Sequence, residues 1–231
     1  MAAFNKANVS NEVTVYYWPM FGRAGAAIRM LEHGKVPYKL VNDYPSIAAK
    51  LSAFGCTTTD NFAPPLIIAG DDHVTQSTAV CMHVGNMVGL NVGITNPAKA
   101  VQHLGDIVDL FENGIAGAVN KGGAELKLYL EGDRLPKLLG NMDRSIKGPF
   151  YFGDAPTYVD FFLCQHVDWI DCQLLNRLKA EKNVDVFSSY TNITGVVEGI
   201  RNLESYKGYK GPLETCQEKF FAKDEVYNEY Q

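Results

Sequence analysis

The chain lacks the features that mark several large classes of protein. Its 21 Lys and Arg are outnumbered by 26 Asp and Glu, the net charge is −5, and no basic run occurs. A nucleic-acid-binding domain normally carries a basic patch, so we expect no nucleic-acid partner. No apolar stretch approaches the ~20 residues that span a bilayer, and residues 1–11 contain no apolar core of the kind found in signal peptides. We therefore expect a cytoplasmic protein that does not associate with membranes.

Motifs for redox and metal chemistry are missing as well. The chain has five cysteines, at positions 56, 81, 164, 172 and 216, and no pair has the CxxC spacing of a redox dithiol or a zinc knuckle. This usage is typical of reduced thiols in a cytosolic protein. The five histidines lie far apart without a recognised ligand spacing, so we predict no metal site.

The residue pattern of the first third of the chain predicts a small α/β unit. Residues 13–17 are β-branched or aromatic and predict a buried strand. Apolar residues then recur at helical spacing from Ala24, with Gly34 as a stop. Residues 38–41 predict a second strand. Such a strand–helix–strand unit is expected to be parallel and right-handed.

Four further elements follow before the pattern changes. They are a short helix over 47–54, strands over 65–69 and 73–76, and a helix from Ser77 to about Val88. The turn Gly70-Asp71-Asp72 favours a β-hairpin between the two strands. Ser77 is a residue type that caps a helix.

The β pattern disappears after a Gly-rich linker at residues 89–97. Helices are predicted beyond it over 97–119, 124–144 and 157–175, with shorter ones over 184–190 and 194–202. The predicted fold class is therefore α/β plus all-α, with a first domain over 1–89 and an all-helical domain over 97–231. Thr157-x-x-Asp160 is a capping box that begins a helix, so we assign this pair to folding and exclude it from the site.

Three segments resemble the cytosolic glutathione transferases in order and spacing. They are YWPMFGRA at 17–24 with AIRML at 27–31, PPL at 64–66 with QSTAV at 76–80, and GDAPTYVDF at 153–161. The resemblance covers nearly the whole chain and thins after about Leu175. The first segment looks most like the tyrosine-type pi, mu and sigma classes, with pi closest.

This resemblance implies a thioredoxin-like first half that binds glutathione as co-substrate. The helical half would form the pocket for a hydrophobic electrophile, in a homodimeric detoxification enzyme that conjugates the glutathione thiolate. Two alternatives stay open. One is a glutathione-dependent isomerase similar to prostaglandin synthases, and the other is a non-catalytic ligand-binding or structural relative.

The conjugation chemistry needs a stabilised thiolate. A free thiol has a pKa of ~8.5, and lowering it by about two units requires roughly 2.7 kcal/mol. A hydrogen bond from a hydroxyl to the charged sulfur supplies about 1.5 to 3 kcal/mol. By resemblance, Tyr17 at the end of the first strand is the catalytic donor. Tyr16 must point to the opposite face of the strand, which makes it the natural control.

The resemblance also assigns contacts to glutathione. It places Trp18 beside the ligand and Arg23 near the thiol and the γ-glutamyl end, although a solvated arginine is the alternative for Arg23. Gln76 and Ser77 would hold the γ-glutamyl carboxylate at a helix N-terminus, which suits an anion.

Two prolines and a lysine complete the predicted first-half contacts. Pro65 matches the family's cis-proline, and the carbonyl of Pro64 would face the cysteinyl amide of glutathione. Pro64 departs from the family pattern because it has no N–H to donate. Lys50 would meet the glycyl carboxylate, with a solvated lysine as the alternative, and Tyr44 stands where the family has a tryptophan.

The remaining expectations concern the helical half. An acidic residue from a neighbouring subunit is expected to reach the γ-glutamyl amine, with Glu112 preferred over Asp109. The second-substrate pocket is expected between the turn at residues 20–21, the first long helix and the tail after Tyr206.

Overall fold

The computed structural model describes residues 12–20, 22–170 and 175–207. Phe21 and the chain beyond Lys207, both expected at the second-substrate pocket, lie outside the described residues. So do residues 171–174 of the helix predicted over 157–175.

The first half of the chain forms a four-stranded mixed sheet. Its strands are β1 (Val13–Tyr16), β2 (Tyr38–Val41), β3 (Leu66–Ala69) and β4 (Asp72–Thr75). The strand order is β2-β1-β3-β4, in which β1 runs parallel to β2 and β3 runs antiparallel to both β1 and β4. The predicted parallel pair and the hairpin are confirmed, and together they form a thioredoxin-like sheet.

The side chains along β1 and just beyond it alternate between two apolar faces of the sheet. Val15 and Tyr17 belong to the main core, where they are 0% and 5% exposed. Tyr16 points the other way and packs against a smaller apolar cluster of three residues, Ile47, Leu51 and Leu66. The two neighbouring tyrosines are therefore in different environments, as predicted.

Three helices accompany the sheet: α1 (Gly25–His33), α2 (Tyr44–Ala48) and α3 (Ser77–Met87). α1 ends at Gly34, as predicted. The helix predicted over 47–54 is two elements, because α2 starts earlier and a separate 3₁₀ turn covers Ser52–Phe54. Asp43 caps α2 by accepting the N–H of Ser46, a signal that the sequence prediction missed.

The prediction that Ser77 is the N-cap of α3 is wrong. Gln76 is the capping position, with a φ of 71° in the left-handed region, and Ser77 is the first helical residue. The turn at Gln76 changes the chain direction between β4 and α3. As a result the hydroxyl of Ser77 donates to another helix rather than to its own N-terminus.

Within the described residues the regular elements of the second half are all helices, as predicted, apart from one isolated β-bridge between Phe150 and Gly153. Its helices are α4 (Pro97–Leu110), α5 (Ala116–Val119), α6 (Gly123–Glu131), α7 (Arg134–Ser145), α8 (Tyr158–Ile170), α9 (Asn176–Lys182), α10 (Thr191–Arg201) and α11 (Glu204–Lys207). A π-helical turn over Phe111–Ile115 joins α4 to α5, so the helical run predicted over 97–119 is continuous. None of the helices within the described residues is long and apolar enough to cross a membrane.

Two helix predictions in this half need correction, and the short helices α9 and α11 were not predicted. The helix predicted over 124–144 is interrupted between α6 and α7. Pro136 explains the break. Inside a continuous helix it would have no backbone N–H to donate, and its ring would clash with the carbonyl of Gly132. In the first turn of α7, backbone N–H groups have no intrahelical partner, so a proline is tolerated there. Residues 184–190 form turns instead of a helix. α9 was missed because Leu178 is its one buried residue, which leaves almost no periodic signal.

α8 lies at the centre of the molecule, and twelve of its thirteen residues are buried. Two glycines let other helices approach it closely. A Cβ at Gly25 of α1 would meet the carboxamide of Gln165, and one at Gly85 of α3 would meet the ring of Tyr158. Asp168 adds a polar link, because its carboxylate binds Arg29 of α1 at 2.9 Å and Arg201 of α10 at 2.7 Å. α8 therefore connects the two halves of the chain.

The predicted capping box before α8 is confirmed in one of its two hydrogen bonds. The carboxylate of Asp160 accepts the backbone N–H of Thr157 at 2.7 Å. The hydroxyl of Thr157 does not accept an N–H but donates to the same carboxylate oxygen at 2.7 Å. The second carboxylate oxygen accepts the N–H of Tyr151 at 2.8 Å, which joins the preceding loop to the helix.

Candidate active site

A cavity of about 450 Å³ lies where the two halves meet. Its walls combine the β1–α1 turn with the π-helical turn, α5 and α8. They are formed by Tyr17, Trp18, Met20, Arg23, Pro64, Glu112, Ala116, Asn120 and Trp169. Five of these residues were predicted to contact glutathione or its thiol. A second cavity of about 260 Å³ lies among α8, α9 and α10 and contains none of the predicted site residues.

Tyr17 presents its hydroxyl at the wall of the 450 Å³ cavity. The residue follows β1 directly and is 5% exposed. Its oxygen accepts the backbone N–H of Arg23 at 2.9 Å. Gly22 makes this turn possible, because its φ is 128° and an added Cβ would lie 2.8 Å from the hydroxyl oxygen. The turn residues therefore determine the position of the hydroxyl.

The Tyr17 hydroxyl is a hydrogen-bond donor near neutral pH. Burial raises the pKa of Tyr17 to about 12, although the N–H and the charge of Arg23 act in the opposite direction and Glu112 adds to the rise. A neutral phenol has one proton to give. Since the oxygen already accepts from Arg23, that proton is available to an anion in the cavity.

Glu112 lies in the π-helical turn and faces the first half of its own chain. Its side chain is 6% exposed, and Oε2 lies 2.7 Å from Nε of Arg23. The prediction that Glu112 reaches a neighbouring subunit therefore does not fit, because its carboxylate is engaged within the chain. Asp109, the other candidate, is 52% exposed and pairs with Arg134 at 3.7 Å.

His166 of α8 is a site-associated residue that sequence reasoning missed. It is fully buried, with Nε2 at 3.2 Å from Oε1 of Glu112 and Nδ1 at 2.8 Å from the carbonyl oxygen of Phe162. A lone histidine in an apolar helix usually indicates core packing. The available signal was a polar ring in a mostly apolar helix, and Asp160, Gln165 and Asp168 of the same helix weakened it.

Ser77 contacts the same carboxylate from a third direction. Its hydroxyl donates to Oε1 of Glu112 at 3.4 Å. Burial alone would raise the pKa of Glu112, but the hydrogen bond and charge of His166, the charge of Arg23 and the Ser77 hydroxyl together hold it below its ordinary value. Glu112 is therefore ionised near neutral pH.

Replacing Glu112 by Gln is expected to give a pH-dependent loss of stability. The folded pKa lies below the ordinary value of 4.5, so the ionised carboxylate stabilises the folded chain above that pH. This contribution is lost as the pH falls through the folded pKa. The difference in free energy of unfolding between wild type and Glu112→Gln should be largest near neutral pH and should shrink at ~pH 4 in urea titrations. Asp109→Asn, on the same helical run, should differ little from wild type in free energy of unfolding at either pH. A loss of stability in Glu112→Gln that is the same at both pH values would contradict the expectation.

The remaining predicted contacts surround the cavity to different degrees. Trp18 at the wall stacks on Tyr44, with ring centroids 6.2 Å apart and planes inclined by 11°. The Pro64–Pro65 peptide bond is cis, as predicted. Five predicted residues do not line the cavity: Tyr44, Lys50 and Gln76 are exposed, Ser77 is half-buried, and Pro65 is buried.

The described residues contain no group of three or more His, Cys, Asp or Glu side chains that could hold a metal ion. The cavity wall offers the neutral hydroxyl donor of Tyr17 and the guanidinium of Arg23, while the Ser77 hydroxyl binds the wall residue Glu112. These groups suit a ligand with a nucleophilic or anionic centre near Tyr17.

Comparison with known proteins connects this arrangement to one fold. Residues 109–211 match the family model of the glutathione S-transferase C-terminal domain. No curated protein matches the chain.

Solved structures match over most of the chain. A prostaglandin synthase D of Nilaparvata lugens is similar with a TM-score of 0.63 at 17% identity, over 85% of this chain and 96% of that one. A pi-class glutathione S-transferase of Onchocerca volvulus matches with a TM-score of 0.63 at 16% identity, over 86% and 92%. Poplar glutathione transferase F1 matches with a TM-score of 0.64 at 18% identity, over 86% and 96%.

These structures belong to more than one class of transferase, and identities this low show a shared fold. Both the cavity between the two halves and the mixed sheet followed by helices agree with that fold. Residues 109–211 thus match the glutathione S-transferase C-terminal domain family, and the chain has the glutathione transferase fold.

Proposed function

We propose that the protein is a glutathione transferase that conjugates the thiolate of glutathione to hydrophobic electrophiles, with Tyr17 as the catalytic residue. One observation carries the proposal. The Tyr17 hydroxyl is buried at the cavity wall, accepts the Arg23 N–H and keeps its own proton for a ligand. A transferase needs such a donor next to the sulfur.

The proposed step is thiolate attack. The Tyr17 O–H donates to the sulfur of bound glutathione and favours the ionised form, because a hydrogen bond to a charged acceptor is worth about 1.5 to 3 kcal/mol. The guanidinium of Arg23 borders the same space and offsets the negative charge of Glu112, which lies in the same wall. The thiolate then forms a carbon–sulfur bond with the electrophile and displaces its leaving group.

The other predicted residues are proposed as glutathione contacts. Ser77 and Gln76 would meet the γ-glutamyl carboxylate at the start of α3, where backbone N–H groups favour an anion. Trp18, Tyr44 and Lys50 would meet the glycyl end. The carbonyl of Pro64 would accept the cysteinyl N–H, and Pro65 would hold that carbonyl in place.

The electrophile is proposed to occupy the helical side of the cavity. Its walls there are Met20, Ala116 and Trp169, with the amide of Asn120 as a polar group. The largely apolar character of this side fits a hydrophobic electrophile of the kind handled in detoxification. We further propose domains over 1–89 and 97–231, the tyrosine-type class with pi closest, a cytoplasmic location and a homodimer.

Titration with glutathione tests the proposal. Thiolate absorbance is followed against pH in the complex, with S-methylglutathione as the control that binds without an ionisable thiol. The proposal expects glutathione to bind and its thiol to ionise well below its free pKa of ~8.5. An electrophile screen then separates conjugation from the isomerase alternative. If glutathione does not bind, the proposed function is wrong and a ligand-carrying or structural role takes its place.

A further inference from the structure

His166 is held between two oxygen acceptors. Its Nδ1 lies 2.8 Å from the carbonyl oxygen of Phe162, and its Nε2 lies 3.2 Å from Oε1 of Glu112. A carbonyl oxygen can only accept, so Nδ1 must carry a hydrogen. A hydrogen must also lie between Nε2 and the carboxylate oxygen, because two lone pairs at this distance would repel.

The surroundings of Glu112 decide which group carries that hydrogen. Arg23, from the β1–α1 turn, donates Nε–H to Oε2 at 2.7 Å. Ser77, from α3, donates its hydroxyl to Oε1 at 3.4 Å. With the hydrogen on Oε1, Glu112 would donate to Nε2 and the Arg23 guanidinium would lose its negatively charged partner, whereas the ionised carboxylate accepts from all three donors. The hydrogen therefore belongs to Nε2.

We infer that His166, with hydrogen on both ring nitrogens, is a positioning residue that holds Glu112 as the ionised anchor of Arg23 and Ser77. Arg23 in turn donates its backbone N–H to the Tyr17 hydroxyl. One carboxylate on the helical half thus contacts two residues of the first half directly, Arg23 and Ser77, and is linked to Tyr17 through Arg23. The expected effect on glutathione binding rests on the proposed function, whereas the protonation state of the His166–Glu112 pair does not.

A purely structural role for the His166 ring makes a different prediction. The ring packs among three aromatic side chains, with centroid distances of 4.2 Å to Phe162, 5.8 Å to Phe111 and 5.9 Å to Trp169. Phenylalanine has a flat aromatic ring that can keep these aromatic contacts. It cannot donate to Glu112. If shape alone matters, His166→Phe should keep the site intact.

Nitrogen-15 NMR of the wild-type histidine rings tests the protonation state directly and without glutathione. We expect one buried imidazole ring with hydrogen on both nitrogens, assigned to His166 by its absence in His166→Gln. A single ring N–H on His166 would overturn the inference whatever the protein binds.

A matched pair of substitutions tests the positioning role. The amide nitrogen of Gln lies at the Nε2 position and can donate to Glu112, whereas that of Asn lies at the Nδ1 position and reaches only Phe162. We expect His166→Asn and His166→Phe to weaken glutathione binding by about tenfold or more, and His166→Gln to stay within about threefold. The Nε–H resonance of Arg23 should keep its position in His166→Gln and shift in the other two.

The outcomes are distinguishable. Equal glutathione affinity and an unchanged Arg23 resonance in folded His166→Asn and His166→Phe would overturn the positioning role while leaving the proposed function intact. A wild-type protein that does not bind glutathione would remove the proposed function. The ring protonation and the Arg23 resonance would still support or overturn the inference.

Discussion

Replacing Tyr17 by Phe is expected to lower kcat/KM for the proposed glutathione conjugation by about 10- to 100-fold. The substitution removes one hydrogen bond to the charged sulfur, worth about 1.5 to 3 kcal/mol, and each 1.4 kcal/mol corresponds to about tenfold. It also leaves the Arg23 N–H without the acceptor that it has at 2.9 Å. The pH at which bound glutathione ionises should rise toward that of the free thiol, which thiolate absorbance measures.

Tyr16→Phe is the matched control for this prediction. The two tyrosines are adjacent, but the Tyr16 ring packs on the other face of the sheet against the smaller apolar cluster. Its loss of a hydroxyl should therefore leave the thiol ionisation unchanged. Tyr17 would be ruled out as the donor if Tyr17→Phe kept the wild-type pH profile of thiol ionisation. An equal loss of kcat/KM in both variants would also rule it out. Arg23, whose guanidinium borders the cavity, would then be the next residue to test.

The first half of the chain was largely predictable because its signals are local. Strand alternation distinguishes Tyr16 from Tyr17 without any knowledge of the fold. The hairpin follows from its turn residues, and the end of α1 follows from Gly34. The cis bond between Pro64 and Pro65 is different, because composition does not reveal it and the family resemblance was needed.

The connections of the candidate site were not predictable, because they depend on tertiary contacts. Glu112 and His166 are 54 positions apart and meet at 3.2 Å across two helices. The π-helical turn that carries Glu112 has no simple sequence signature, so the direction of its carboxylate could not be inferred. Ser77 was assigned to its own helix because capping is the common use of serine there, whereas the backbone turn at Gln76 directs its hydroxyl to Glu112.

Replacing Asp160 by Ala is expected to lower the free energy of unfolding by about 3 kcal/mol or more. The carboxylate is fully buried and accepts three hydrogen bonds, from the N–H groups of Tyr151 and Thr157 and from the hydroxyl of Thr157. Alanine would leave these buried donors unpaired at a cost of about 1 to 3 kcal/mol each. Because α8 is the central helix, the loss should affect the whole fold, and urea denaturation monitored by circular dichroism measures it.

Asp154→Ala is the control, since Asp154 is exposed in the same loop and its loss should cost at most about 0.5 kcal/mol.

The pH dependence of the stability provides a second test. Burial raises the pKa of Asp160 to about 6, above its ordinary value of 3.8, despite the hydrogen bonds from Thr157 and Tyr151. Protonation of Asp160 therefore stabilises the folded state. This stabilisation is complete below pH 3.8 and is lost above about pH 6. The stability gap between wild type and Asp160→Ala should widen as the pH falls through that window, and a gap that narrows there would mean that the folded state prefers the ionised carboxylate.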